Sequence, residues 1–284
     1  MHRNAVRLLT TRDLANALGV SESSLKRWVD SGKIAASRTE GGHRRIEIAE
    51  AVRFIRASGT PLLRPELLDL PEVAAVRAQG PDRLLSYLTD GNTLGASGWL
   101  MARYLEGATV AELGDGPIRE AMHALGELWR HDEGGVFIEH CGTDTCLQAV
   151  AQLRSMIDVP PSTAPLALGG CPAGDPYLLP TQLASMTLSE VGMRSINLGP
   201  DTPVSALSAA VAMHKPKLVW TSITNSLTPA RSKSLRDWFE ELPASIMIAV
   251  GGQQASGLGN LPSRVRRVHT LVELAALAAA IVKK

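Results

Sequence analysis

Small polar and basic side chains are concentrated on one predicted helix near the amino terminus. Ser21 is suited to cap this helix, and Leu25, Trp28 and Val29 recur at the spacing of one buried helical face. A shorter helix ending at Gly19 precedes it, so the pair predicts a helix-turn-helix, whose second helix can enter the major groove of DNA. The side chains suited to reach bases and backbone are Thr11, Arg12, Ser23, Ser24, Lys26 and Arg27.

A basic hairpin is predicted after this pair of helices. Gly41-Gly42 favours a tight turn, and its flanks are suited to lie against phosphates. Residues 1–58 contain 11 Lys and Arg against 6 Asp and Glu, whereas the whole chain has 29 against 28. The net charge of +1 therefore averages a basic amino-terminal segment and an acidic remainder. The phosphate-facing side chains expected on the hairpin are Arg38, His43, Arg44 and Arg45.

These two features resemble the MerR family of transcriptional regulators. The resemblance is carried by Ser24-Leu25-Lys26-Arg27-Trp28 and by Gly41-Gly42-His43-Arg44-Arg45. It implies a winged helix-turn-helix over residues 1–58 that binds double-stranded DNA at an operator with repeated half-sites. The long dimerising helix of the metal-sensing members is not evident, because residues 59–65 predict a linker directly after the Ile48 to Ser58 helix. We expect a homo-oligomer, dimer or tetramer, formed by another part of the chain.

The rest of the chain predicts two further domains. Residues 66–160 read as helices broken by turns, and a four-helix bundle is the economical architecture. Residues 161–284 alternate short apolar runs with helices, which predicts a doubly wound parallel sheet. The expected fold class is therefore multidomain α/β, in which the last domain is Rossmann-like. Such sheets bind ligands beyond the carboxyl ends of their strands.

One pattern in the predicted bundle is suited to cover a ligand. Trp129 is followed, after nine intervening residues, by Glu139-His140, and an indole, a carboxylate and an imidazole could enclose an apolar group and hydrogen-bond a sugar. With this domain order, the pattern resembles the light-sensing cobalamin regulators of the CarH/LitR type. The resemblance implies adenosylcobalamin as the ligand and a cobalamin-binding-type α/β domain.

Three segments of the last domain resemble the same group. Asn197 to Pro203 resembles the loop after its second strand. Ser222 and Thr224 stand where corrinoid-binding domains carry a segment that faces the nucleotide tail, and Gly251-Gly252 matches a glycine pair that lets this tail approach the backbone. The resemblance therefore implies that the tail lies against the ends of the third and fourth strands.

The loop after the first strand departs from the family pattern. Cobalamin-binding domains usually show Asp/Glu-x-His-x-x-Gly, whereas this chain reads Asp175-Pro176-Tyr177, with Pro180 in place of the glycine. A neutral phenol is a poor ligand for cobalt at neutral pH. Three alternatives remain: cobalamin without this lower ligand, another tetrapyrrole such as haem or a bilin, or no ligand. His131 and His140 are the other imidazoles that could serve as metal ligands.

The expected function is that of a DNA-binding repressor controlled by a cobalamin-type ligand. Light could release DNA by destroying this ligand, and the alternative is control by a protein antirepressor. A corrinoid-dependent enzyme is disfavoured, because no nucleophile–base pair or second catalytic domain is visible. Three cysteines without a C-x-x-C pair indicate a reducing compartment, and no segment is long and apolar enough for a membrane span, so we expect a cytoplasmic protein.

Overall fold

The computed structural model describes residues 8–68, 83–129 and 133–283, apart from the side chains of residues 128, 129, 133 and 134. The chain divides into two compact units. The first comprises Met1–Ala108 and Gly116–Asp158, and the second comprises Thr109–Asp115 and Val159–Lys284. The predicted fold class is confirmed: a helix-turn-helix, a set of packed helices and a parallel sheet covered by helices.

The amino-terminal part of the first unit is a winged helix-turn-helix, called here the reading head. The Thr10 hydroxyl caps its first helix by accepting the N–H of Asp13, and Gly19 ends that helix in the left-handed conformation. Leu14 and Leu25 are fully buried between the helices. The elements are β1 (Leu8–Thr10), α1 (Thr11–Leu18), α2 (Glu22–Asp30), β2 (Ser37–Arg38), β3 (Arg44–Glu47) and α3 (Ile48–Ser58), with β3 central in an antiparallel sheet.

The segment after α3 folds back onto the reading head. Leu62, Pro65 and Leu68 are buried, and the last two bound a short 3-10 helix. The backbone N–H groups of Leu63 and Arg64 both donate to the carbonyl of Ala17, at 2.9 and 3.0 Å. These bonds satisfy a carbonyl near the end of α1, which would otherwise lack a partner within the helix. Residues 62–68 therefore stabilise this helix.

Four helices of the first unit form the predicted bundle. The longest, Glu133–Arg154, packs against each of the other three. Leu88, Leu100, Leu125 and Val150 are fully buried among them. The helices are α4 (Arg83–Thr89), α5 (Thr93–Leu105), α6 (Arg119–Trp129) and α7 (Glu133–Arg154).

One arginine joins the reading head to the bundle. The Arg56 guanidinium, near the end of α3, lies 3.7 Å above the centre of the Tyr104 ring on α5. It also donates to the carbonyls of Tyr104 and Ala108, the latter at 2.8 Å. A guanidinium that stacks on a ring and bonds two carbonyls has a fixed position, so Arg56 holds α3 on the bundle.

The second unit is a five-stranded parallel sheet with helices on both faces. Its strand order is β5-β4-β6-β7-β8, so the chain reverses direction across the sheet between β4 and β6. The strands are β4 (Leu166–Gly170), β5 (Arg194–Asn197), β6 (Leu218–Ser222), β7 (Met247–Gly251) and β8 (Val265–Arg267). The helices are α8 (Leu178–Glu190), α9 (Val204–His214), α10 (Pro229–Glu241) and α11 (Leu271–Val282).

Alternating strand residues build a separate core on each face of this sheet. Val219 and Ile248 are buried with Leu207 of α9 and Phe239 of α10. On the other face, small residues of β4 and β7 and the large Trp220 of β6 are buried with side chains of α8 and α11. Strands buried on both faces explain the continuous apolar runs of the sequence.

The short segment Thr109–Asp115 belongs to the second unit by its contacts. The Asp115 carboxylate accepts the N–H groups of Leu271 and Val272 at 2.9 and 3.0 Å, which caps the start of α11. The Glu190 carboxylate accepts the N–H of Val110 at 2.8 Å. These bonds fix the segment against α8 and α11. None of the described helices is both long and apolar enough to cross a membrane.

Candidate functional site

The exposed face of α2 presents the side chains expected to read DNA. Ser21 caps this helix by accepting the N–H of Ser24 at 3.1 Å, and the helix has the predicted bounds, Glu22–Asp30. Ser23, Lys26 and Arg27 are exposed. The Arg27 guanidinium donates to the Ser24 hydroxyl, one helical turn earlier, at 3.2 Å. The two side chains therefore lie together in one polar patch on the surface of α2.

Glu22 organises this patch, although the sequence analysis did not select it. Its carboxylate lies 2.9 Å from the Lys26 ammonium and 3.6 Å from the Arg12 guanidinium, and it accepts the Thr11 hydroxyl at 3.2 Å. The bond from Lys26 is the main cause that lowers the pKa of Glu22. Thr11, which was predicted to contact DNA, is buried, and its hydroxyl belongs to this hydrogen-bond network between α1 and α2. The signal in sequence was an acid one turn before Lys26.

The predicted wing is a short hairpin with basic flanks. Its turn is closed by the N–H of Gly42, which donates to the Thr39 carbonyl at 2.8 Å, and Gly42 has a positive φ of 77°. Arg38 and His43 are exposed near the tip, and Arg45 is half-buried. Arg44 instead donates to the Asp30 carboxylate at 2.6 Å, at the end of α2. This ion pair fixes the wing against the predicted reading helix.

The bundle residues expected to cover a ligand lie on two helices. Trp129 is the last residue of α6, and its side chain and His131 lie outside the described residues. On α7, the Glu139 carboxylate is 3.4 Å from the His140 imidazole and accepts the Thr143 hydroxyl at 3.0 Å. His140 is exposed and Glu139 is half-buried. This pair therefore presents an imidazole at the surface of the helix.

Asp175 lies at the carboxyl edge of the sheet, where the chain reverses between β4 and β6. Its side chain is fully buried, and one carboxylate oxygen accepts the N–H groups of Thr224 and Asn225 at 2.5 and 3.1 Å. The other oxygen accepts the N–H of Tyr177 at 3.3 Å. Asp175 thus binds the loop after β4 to the loop after β6. A charged acceptor with several backbone donors strongly stabilises such a junction.

The remaining predicted ligand residues surround this junction. Tyr177 is 50% exposed and precedes α8, without capping that helix through its side chain. Ser222 is buried, Thr224 and Gly251 are half-buried, and Gly252 is exposed. A side chain at Gly252, which has a positive φ of 96°, would overlap the backbone of Ile223. The glycine therefore permits close packing between the chain's own loops.

Trp220 fills the space beneath this edge on the side of α8 and α11. It is 2% exposed, and a side chain at Gly169 of the neighbouring strand would overlap its indole. Ala184 and Leu188 of α8 are buried in the same cluster. The indole Nε1 is buried without a hydrogen-bond partner among the described residues. In the sequence, Trp220 is only one residue of an apolar strand. Its packing could not be predicted, because Gly169 lies opposite it only after β4 and β6 have paired.

The three cysteines are free thiols. The described residues contain no group of three or more His, Cys, Asp or Glu side chains that could hold a metal ion. Cys146 and Cys171 are buried, and Cys141 is half-buried. Burial raises the pKa of Cys146 to about 12 and also raises the pKa of Cys171, which lies beside Asp175.

We expect one fast-reacting thiol per native chain. The thiolate is the reactive form, so the raised pKa values protect Cys146 and Cys171 from a disulfide reagent at pH 8, whereas Cys141 reacts. Titration with a chromogenic disulfide should release one equivalent before unfolding in denaturant and three afterwards. Cys141→Ser should abolish the fast phase, and a fast phase that survives in this variant would contradict the assignment.

Comparisons with known proteins agree with this architecture. Residues 8–58 match the family model described as "Helix-turn-helix domain". A search of curated proteins finds no significant match. Among solved structures, the monomethylamine corrinoid protein of Methanosarcina barkeri is similar with a TM-score of 0.57 and 18% identity, over 70% of this chain and 97% of that one. At this identity the similarity shows the fold alone.

Two further structures have lower scores. The methanol:cobalamin methyltransferase complex MtaBC of Methanosarcina barkeri has a TM-score of 0.38 at 18% identity, over 80% of this chain and 88% of that one. A cobalamin-binding protein of Desulfitobacterium hafniense DCB-2 has a TM-score of 0.35 at 16% identity, over 71% and 98%. Residues 8–58 thus match a helix-turn-helix domain, and the structure with the TM-score of 0.57 shares the fold of about 70% of the chain.

Proposed function

We propose that this protein is a sequence-specific DNA-binding transcriptional regulator of the MerR type. The observation that carries the proposal is the reading head itself, in which a capped helix with exposed Ser23, Lys26 and Arg27 lies beside a basic wing. Phosphate contacts from the wing would set the position on DNA, and the helix would read bases. The ion pair between Arg44 and Asp30 holds these two surfaces together.

Replacing Arg27 by alanine tests this proposal. We expect DNA binding to weaken by about 1–3 kcal/mol, or roughly fivefold to more than a hundredfold, and sequence preference to relax, because a base contact is lost. Binding to selected and scrambled duplexes at fixed salt measures both effects. Arg154→Ala is the matched control, since this arginine is exposed on α7, outside the reading head. Equal affinity of the Arg27 variant and wild type would remove Arg27 from the interface.

We further propose that the second unit senses a corrinoid. Support comes from the CarH/LitR resemblance and from the fold that is shared with a corrinoid protein. The residues do not fit the binding mode in which a protein histidine is the lower ligand of cobalt. Tyr177 stands at the position of that histidine, and the Asp175 carboxylate already accepts hydrogen bonds from backbone N–H groups. The proposal is therefore a cobalamin, in the adenosyl form by resemblance, held without a protein ligand from this loop.

Mixing the protein with adenosylcobalamin in darkness, followed by gel filtration and an absorption spectrum, tests this part. Protein that elutes colourless would defeat the cobalamin proposal and favour the alternatives. These are haem, a bilin, or an empty domain controlled by a protein antirepressor. The spectrum of the protein as purified distinguishes them, because each chromophore has its own bands and an empty domain has none.

Control of DNA binding would then follow from linkage. A ligand that binds one oligomer better than another shifts the population able to occupy several half-sites, and light that destroys the ligand would release a repressor from DNA. Gel filtration in darkness and after illumination measures the shift. The competing class is a corrinoid-dependent enzyme.

A further inference from the structure

The space directly beneath the carboxyl ends of β4 and β6 is filled by the protein. Trp220 and Ser222 are two residues apart on β6, so their side chains lie on the same face of the sheet. The Trp220 indole lies on this face of the sheet and packs against Gly169. The helices α8 and α11 cover the same face, and their Ala184 and Leu274 are buried in one cluster with Trp220. A ligand segment directed inward past Ser222 would therefore meet a closely packed indole.

The entrance to this space is also closed. The Asp175 carboxylate joins the loops after β4 and β6 through three backbone N–H groups. Next to it, the N–H of Gln254 donates to the Ile223 carbonyl at 2.9 Å, and Gly252 packs against the Ile223 backbone. The loops after β4, β6 and β7 are thus held together by their own hydrogen bonds, which a ligand segment would have to break to pass between them.

The outer rim remains available. Tyr177, Asp201, Gly252 and Gln253 are exposed, and Thr224 is half-buried between them. This rim offers a phenol, a carboxylate, an amide and a hydroxyl, all of which can form hydrogen bonds. The amide side chains at the edge of a corrin ring can form hydrogen bonds with these groups, whereas the space beneath them that a tail would need is filled by Trp220.

We propose that the second unit recognises the corrin ring and its amide side chains while leaving the nucleotide tail in solvent. This inference rests on the proposed corrinoid function and specifies its ligand class: complete cobalamins and tail-less cobinamides bind alike. The bound cobalamin keeps its own dimethylbenzimidazole on cobalt, because Tyr177 supplies no competing imidazole and Trp220 excludes the displaced base.

Equilibrium binding of adenosylcobalamin and adenosylcobinamide to the full chain, in darkness, tests the inference. We expect dissociation constants within threefold of each other and an absorption spectrum of bound cobalamin that stays base-on. A base-off spectrum, or cobinamide binding more than tenfold weaker, would overturn the inference while leaving the corrinoid function intact. If neither corrinoid binds, the proposed corrinoid function fails and the inference with it.

Two substitutions of Trp220 extend the test. Trp220→Gly removes the indole, and in the fraction that folds, we expect affinity for cobalamin to rise at least fivefold relative to cobinamide. Trp220→Phe, which keeps most of the volume filled, should leave their ratio unchanged. A folded glycine variant with an unchanged ratio contradicts the role of the indole, and the wild-type measurement decides the question if this variant does not fold.

Discussion

Trp220→Ala is expected to lower the free energy of unfolding of the second unit by about 3–5 kcal/mol. The indole is 2% exposed and packs against Gly169, which has no side chain to fill the cavity that alanine would leave. Hydrogen exchange of peptides from β4 and β6, read by mass spectrometry, measures this loss separately from the reading head.

Trp220→Phe is the matched control for this prediction. The indole Nε1 has no hydrogen-bond partner among the described residues, so phenylalanine removes a donor without breaking a bond. The loss should be clearly smaller than that of alanine, below about 2 kcal/mol, since most of the buried area is kept. An alanine variant within about 1 kcal/mol of wild type would mean that the surroundings collapse into the cavity.

Asp175→Ala is expected to cost about 2–4 kcal/mol and to separate the loops after β4 and β6. It leaves the N–H groups of Tyr177, Thr224 and Asn225 without their acceptor, and an unsatisfied buried donor costs about 1–3 kcal/mol. The estimate is less than the sum because Asn225 is exposed and water can reach it. Faster hydrogen exchange at the amides of residues 224 and 225 is the measurement.

Two other variants make this prediction specific. Asp201→Asn changes an exposed aspartate that accepts the N–H of Gly174 at 2.7 Å and has a positive φ of 50°, which asparagine tolerates, and it should cost below about 1 kcal/mol. Asp175→Asn keeps one acceptor oxygen and should lie between wild type and alanine. Unchanged exchange at residues 224 and 225 in Asp175→Ala would show that Asp175 does not hold the two loops together.

The sequence predicted the elements with strong periodicity and missed two short strands at sheet edges. The start of α2 follows from the Ser21 cap, the end of α3 follows from the left-handed Gly59, and both helices show a 3.6-residue repeat, all of which are local signals. β1 and β8 were not predicted, because each has three residues, too few to show alternation. Both lie at sheet edges and are defined mainly by the strand beside them.

Partners distant in sequence account for what was missed at the site. Arg44 is still predicted to face phosphate, but its hydrogen bond to Asp30, 14 residues earlier, was not foreseen. The donors to Asp175 at Thr224 and Asn225 lie 49 and 50 residues away. No local pattern encodes such pairs, since they depend on which loops the sheet topology brings to one edge.

The contact of Arg56 with Tyr104 has a consequence for how an oligomer would engage DNA. A head held by a stacked guanidinium, with residues 62–68 packed on α1, cannot swivel to follow the groove. Half-sites on one side of the duplex recur about every 10.5 base pairs. In the proposed oligomer, a rotation of one bundle against another would therefore carry each reading helix away from the major groove of its half-site, and a modest rearrangement would be enough to weaken DNA binding.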